Sequence, residues 1–305
     1  MKRVAVLMGG SSPEREVSLT SGRAVAGALR EAGYAVREID VGRDVAALVR
    51  ALDPAPDAVF NALHGRYGED GTVQGVLELL GIPYTHSGVL ASALAMDKPM
   101  AKRLFAAAGI RCPHCVVVYR AAFDAGDPMD RPYVVKPTNQ GSSVGVRIVR
   151  DGENANPLAE WPFGERVLVE RYIAGRELTV AVMGDRPLAV TELRPRSGFY
   201  DYDAKYTDGR TDHLVPAPVP EAVRREAMRM ALLAHQTLGC RGVSRADFRY
   251  DDTDGADGPE RLYLLEVNTQ PGMTALSLVP EQAAHQGITF PQLVAWMVEN
   301  ARCDG

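Results

Sequence analysis

Leu262-Tyr-Leu-Leu-Glu-Val-Asn-Thr-Gln-Pro-Gly272 is an apolar run that reads as a buried β-strand, yet it carries Glu266 and Asn268. Side chains alternate across a strand, so these two face the same way. Left unpaired, a buried carboxylate or amide costs ~1–3 kcal/mol or more, so this face needs a partner. Oxygen donors at this spacing suit a hard cation such as Mg²⁺. Upstream, Ser244-Arg-Ala-Asp-Phe-Arg-Tyr250 also alternates and sets Arg245 and Asp247 on one face. The Gly- and Asp-rich residues 251–259 read as the loop of a hairpin. Folding that hairpin brings Asp247, Glu266 and Asn268 together beside an arginine, as at a metal–phosphate site. The alternative is an internal ion pair from Arg245 to Asp247 or Glu266.

Outward from the hairpin, the chain is one of alternating elements. Strand patterns at residues 2–8, 36–41 and 57–63 alternate with helix patterns at 16–32, 44–52 and 71–80, with Gly33 as a stop signal. Such alternation predicts a parallel sheet with crossover helices. This first α/β unit ends near residues 84–87. One helix is expected over Val89–Ala108, followed by strands at 115–119, 133–136, 146–149 and 164–172, a smaller α+β unit. Strands at 177–183 and 188–194, a polar loop at 197–212, a long helix at 221–238, the hairpin and a last helix at 290–301 complete the chain. The expected division is therefore 1–87, 88–172 and 173–305.

Composition excludes several classes. The 305 residues are 46% hydrophobic and 24% charged, as in ordinary globular proteins. A net charge of −5 without a basic run argues against nucleic-acid binding. No apolar stretch approaches the ~20 residues of a membrane span. Met1-Lys-Arg3 leads straight into a strand pattern with no cleavage site, so no signal peptide is expected. Four unevenly spaced cysteines suit a reducing cytoplasm. Cys112-Pro-His-Cys115 runs into a strand and has no second pair to complete a zinc site, so it reads as two incidental thiols.

Three further segments carry chemistry. Gly9-Gly-Ser-Ser-Pro-Glu-Arg-Glu16 joins the first strand to the first helix, where ligands of open α/β sheets bind. The Gly-x-Gly-x-x-Gly dinucleotide pattern is absent, which argues against a nicotinamide-dependent oxidoreductase. Glu14 suits an ammonium better than a pyrophosphate; alternatively Ser12 and Glu14 merely cap the helix. His64, in Asn61-Ala-Leu-His-Gly-Arg-Tyr-Gly-Glu-Asp-Gly71, ends another strand near the same place. Pro132-Tyr-Val-Val-Lys-Pro-Thr-Asn-Gln-Gly-Ser-Ser-Val-Gly145 ends a strand with Lys136, whose ammonium needs an anion if buried. Its glycines and the hydroxyls of Ser142 and Ser143 can cradle phosphates and close as a lid, although a plain hairpin turn is also open. Lys98 falls on a helix, and Glu170 and Glu177 flank Ile173-Ala-Gly-Arg176.

Taken together, these segments resemble the D-alanine–D-alanine ligase family, within the ATP-grasp fold. The matching pieces are Gly9–Leu19, His64–Gly71, Ser92–Lys98, Lys136–Gly145, Tyr200-Asp-Tyr-Asp-Ala-Lys-Tyr206 and Leu265–Thr274, in the family's order and over nearly the whole chain. The resemblance implies ATP-dependent ligation of two D-alanines through an acyl phosphate, for peptidoglycan precursor synthesis, by a homodimer. It implies that Lys98, Lys136 and Lys205 contact phosphates and that Glu170 and Glu177 meet adenine and ribose. Asp247, Glu266 and Asn268 would hold two Mg²⁺ ions, with Mn²⁺ as a substitute. Glu14 would receive the first D-alanine's ammonium, held by a chain through Ser142 and Tyr206, with His64 nearby. Arg245 and the Gly272 backbone would face the oxyanion, and Ser277 and Leu278 the second carboxylate. Arg171-Tyr172 and His86 depart from the family's pattern. The competing readings are an ATP-grasp ligase for other substrates and a non-catalytic nucleotide-binding regulator; the latter would be expected to lack Arg245 or a metal ligand, and all are present.

The resemblance implies that the tyrosine of the Lys205-Tyr206 pair selects an amine over a hydroxy acid. Tyr206→Phe is therefore expected to raise the yield of D-alanyl-D-lactate relative to D-alanyl-D-alanine when both nucleophiles are supplied; product mass ratios check it.

Overall fold

The structure, a computed structural model, describes residues 1–304 apart from 142–143, 154–155, 197–209, 256 and 275. Three sheets organise it. The first is parallel, in the order β2 (Ala35–Val41), β1 (Arg3–Gly9), β3 (Ala58–Asn61). The intervening helices are α1 (Arg15–Glu31) and α2 (Val45–Ala51), and α3 (Thr72–Leu80) follows β3. The apolar run of β1 is buried on both faces, as parallel strands are. Helix α1 buries Val17, Ser21, Val25 and Leu29, one residue per turn, against that sheet. Full burial of Val25 and Leu29 contributes about 1.5–3 kcal/mol each. Ser18 ties the carboxyl edge together: its Oγ donates to Ala62 O at 2.7 Å and accepts from Gly9 N at 2.9 Å.

The second sheet is antiparallel, in the order β4 (Cys115–Tyr119), β7 (Arg166–Arg171), β5 (Tyr133–Pro137), β6 (Arg147–Val149). The third runs β10 (Thr211–Leu214), β9 (Arg186–Pro195), β8 (Arg176–Met183), β11 (Val243–Tyr250), β12 (Leu262–Asn268). Helix α6 (Glu221–Thr237) covers one face of it, burying Val223, Ala227, Met230 and Ala234 on Phe248 and Leu264. Helix α7 (Leu278–His285) packs on β8, β9 and β11, and helix α8 (Phe290–Glu299) returns to the first sheet at β3 and α1. Leu293, Val294 and Met297 share a core with Val4, Met8 and Phe60, and with Ala181 and Val243 of the third sheet.

The helix expected over Val89–Ala108 is two helices, α4 (Val89–Met96) and α5 (Lys98–Ala107). Asp97 is extended between them and caps α5, its carboxylate accepting from Met100 N at 3.0 Å. Pro99 removes an amide hydrogen that a continuous helix would use. The break puts Lys98 at a helix start rather than mid-helix. His86, without a role from the sequence, has φ +68 and stacks edge-on to Phe60 at 5.5 Å, with Nδ1 3.0 Å from Thr85 Oγ1. The four cysteines are free.

Phe248 is fully buried where α6 meets the third sheet. Phe248→Ala is expected to cost about 3–5 kcal/mol of stability, seen as a lower urea midpoint at unchanged slope.

Candidate active site

The β11–β12 register sets Asp247 opposite Glu266 and Arg245 opposite Asn268, with a bulge after Asp247. All four side chains stand at one end of the hairpin. The Arg245 guanidinium grips Asp247, Nε to Oδ1 at 2.8 Å and Nη2 to Oδ2 at 2.7 Å. Thr179 Oγ1 on β8 donates to the same carboxylate at 2.8 Å. Lys98 Nζ lies 3.2 Å from Glu266 Oε2 and donates to Gln140 O at 2.7 Å. Asn268 Oδ1 accepts from Gln270 N at 2.8 Å. The internal ion pair from Arg245 to Asp247 is thus real, and it leaves Glu266 and Asn268 beside it on the same face.

The oxygen donors of this cluster suit a hard divalent ion that draws its remaining ligands from elsewhere. These donors are two carboxylates and an amide oxygen, while among the described residues no three or more His, Cys, Asp or Glu converge as an ion cage. Mg²⁺ is commonly held in this way, by one or two carboxylates with water and substrate phosphate oxygens filling the rest.

Two clefts meet at the hairpin. One, of about 880 Å³, is lined by Glu14, His64, Glu69, Arg245, Gly272, Ser277 and Leu278. The other, of about 790 Å³, is lined by Lys136, Glu170, Glu177, Asp247 and Arg249. Lys98 and Glu266 line both. A group entering one cleft can therefore meet a group entering the other beside this pair.

In the first cleft, Glu14 is the residue before α1, but its side chain makes no capping bond. Ser12 does local work instead: its Oγ accepts from Glu14 N at 3.2 Å and donates to His64 O at 2.8 Å. The Glu14 carboxylate crowds Gly65, where a Cβ would stand 2.5 Å from Oε2; with φ +69, that position needs glycine. Glu69, which sequence reasoning missed, is 8% exposed. A Cβ on Gly141 would lie 3.0 Å from Glu69 Oε1 and 3.8 Å and 3.9 Å from the two Glu14 oxygens, so both carboxyls converge on the glycine loop. Burial, then the charge of Glu14, pushes Glu69 up to about 8. Burial pushes His64 down to about 4, leaving it neutral. Ser277 and Leu278, at the start of α7, line this cleft, and a helix start is a favourable end for an anion.

In the second cleft, Lys136 Nζ donates to Glu170 Oε1 at 2.6 Å, and Lys102 pairs with the other carboxylate oxygen. Burial opposes charge on Glu170, but the two ammoniums outweigh it and hold the carboxyl below its usual range. The anion that a buried Lys136 requires is thus supplied by the protein. Glu177 lies 3.5 Å from Arg249 Nη1. Lys102 was also missed, although it sits four residues after Lys98 and so on the same helix face. Ser142, Ser143, Lys205 and Tyr206 lie outside the described residues.

Comparison with known proteins agrees with this architecture. The family model described as D-ala D-ala ligase C-terminus matches residues 104–299, and D-ala D-ala ligase N-terminus matches 44–87. A D-alanine--D-alanine ligase of Paramagnetospirillum magneticum is 63% identical and one of Acidiphilium cryptum 61%, each over 99% of both chains. The solved D-alanine--D-alanine ligase of Bacillus anthracis is 34% identical with TM-score 0.85, over 98% of this chain and 97% of that one. The same enzyme complexed with ATP gives TM-score 0.81 at 34% identity, over 98% and 96%. Three sheets so arranged make this an ATP-grasp fold with an N-terminal parallel-sheet unit. The chain belongs to the D-alanine–D-alanine ligase family.

Glu69 and His64 titrate in opposite senses. Glu69 binds its proton more tightly folded than unfolded, so stability falls as pH rises from about 4.5 through about 8. His64 and His86, lowered to about 4 and about 3, lose stability as pH drops below about 6.5. Between pH 6.5 and 8 Glu69 acts without those histidines. Glu69→Gln is expected to flatten the fall there, by up to about 2 kcal/mol, read from urea unfolding at several pH values.

Proposed function

We propose that the protein joins two D-alanines into D-alanyl-D-alanine, using ATP and forming ADP and phosphate, for peptidoglycan precursor synthesis in the cytoplasm. The observation that carries this reading is the meeting of a cleft lined by Glu14, Glu69 and Arg245 with a lysine-lined cleft at Lys98 and Glu266. A carboxylate is a poor electrophile. Transfer of the γ-phosphoryl group to the first D-alanine's carboxylate oxygen gives an acyl phosphate and releases ADP. In the roles proposed, Lys98, Lys136, Lys205, Ser142 and Ser143 hold the phosphates, and Glu170 and Glu177 meet adenine and ribose. Mg²⁺, two ions per site or Mn²⁺ in their place, would be held by Asp247, Glu266 and Asn268 and would neutralise triphosphate charge.

Glu14 receives the first ammonium, supported by His64, Ser142 and Tyr206. The second D-alanine presents its carboxylate to the start of α7 at Ser277 and Leu278. Its amine, once deprotonated, attacks the acyl carbon. Negative charge then develops on the former carbonyl oxygen, where Arg245 and the Gly272 amide stabilise it. The bond to phosphate breaks and the dipeptide remains. Exclusion of water protects the acyl phosphate, a task proposed for the 197–212 loop. The proposed units are 1–87, 88–172 and 173–305; support comes from the sheets falling one to each span. The active species proposed is a homodimer. Among the described residues no helix is long and apolar enough to cross a membrane. A ligase for a different carboxylate and amine is not favoured, given full-length relatives named for D-alanine.

Phosphate release is expected with D-alanine and not with L-alanine, with a product of dipeptide mass. Release with L-alanine alone would overturn the substrate assignment. Glu266→Gln is expected to lower turnover about 10²-fold at saturating Mg²⁺ and ATP; wild-type turnover would count against the metal assignment.

A further inference from the structure

Gln270 is 1% exposed and lies just beyond β12, yet both ends of its side-chain amide and its backbone N–H are hydrogen-bonded. Its Nε2 donates to Leu63 O at 2.6 Å, and its Oε1 accepts from Asn61 Nδ2 at 3.0 Å. Its backbone amide donates to Asn268 Oδ1 at 2.8 Å. Asn61 extends the net, donating to Gly68 O at 2.9 Å and accepting from Leu63 N at 3.2 Å. Each contact is beside a residue of the first cleft: Leu63 precedes His64, Gly68 precedes Glu69, and Asn268 ends the hairpin. The partners are about two hundred residues apart in sequence, so no local turn fixes their separation. A buried amide that only needed satisfying could have found partners on its own strand.

We infer that Gln270 is a positioning residue: its side chain clamps the loop bearing His64 and Glu69 to the strand end bearing Asn268, and so sets the width of the amino-acid cleft. The inference rests on the ligase reading above. Among the described residues, its side-chain hydrogen bonds reach none of those lining the cleft of Lys136 and Glu170, so its loss acts on one substrate and not the other.

Gln270→Met keeps the shape and removes the side chain's hydrogen bonds. Steady-state kinetics of the full-length protein, run well below its melting temperature, are expected to show KM for D-alanine raised about 10-fold with KM for ATP unchanged. Amide hydrogen exchange is expected to quicken about 10-fold over residues 62–69 and not over β5 or β7. Gln270→Glu, which keeps the acceptor for Asn61, is expected to restore part of both. Unchanged exchange over 62–69, or equal rises in both KM values alongside a lower melting temperature, would overturn the clamp. Wild-type protein that forms no dipeptide would overturn the ligase reading instead, and exchange would still decide the clamp.

Discussion

The charges at the floor of the two clefts are withdrawn from water, and each must be held by another. A lone buried ion costs several kcal/mol, whereas a pair with good geometry recovers much of that. The protein meets the constraint with internal partners: Glu170 between Lys102 and Lys136, Arg245 on Asp247, Lys98 on Glu266. These pairs keep the floor rigid before any substrate enters. On the proposed roles, an arriving phosphate or carboxylate would exchange one charged partner for another instead of creating a new buried ion.

The backbone explains why these groups are where they are. Helix α5 begins with a cation, although a helix start favours anions. Glu266 and the Gln140 carbonyl offset that misfit, and both belong to the site. A local rule broken in this way marks function more often than error. The ends of β1 and β3 bring Glu14 and His64 to one edge of the parallel sheet, where such sheets bind ligands. Helix α7 closes the cleft from the other side while its neighbour α8 is packed into the first sheet's core. The N-terminal sheet and the C-terminal hairpin thus form one wall.

Periodicity made much of this legible. Alternation in residues 244–250 and 262–268 put Arg245 with Asp247 and Glu266 with Asn268 on shared faces, and the ladder has that register. It could not choose between an ion pair and a metal site, because both want the same residues on the same face. The helix break at Asp97 was hidden because residues on either side are good helix formers, and a single cap and proline decide it. Helix α7 was missed because two turns containing a proline are too short for a 3.6-residue pattern to emerge. Glu69 and Gln270 sit in loops, where no period distinguishes a buried side chain from a solvated one.

The sequence by itself determined most of the strands and helices, the shared face of the hairpin's polar residues and the family to which the chain belongs. These depend on neighbours a few residues apart, whose spacing the chain carries in plain view. Only the tertiary structure decided which buried groups meet: Lys136 and Lys102 with Glu170, Lys98 with Glu266, Gln270 with Asn61. Those partners lie tens to hundreds of residues apart, and their pairing depends on how sheets and helices pack, because charge removed from water takes the nearest partner in space and not the nearest in sequence.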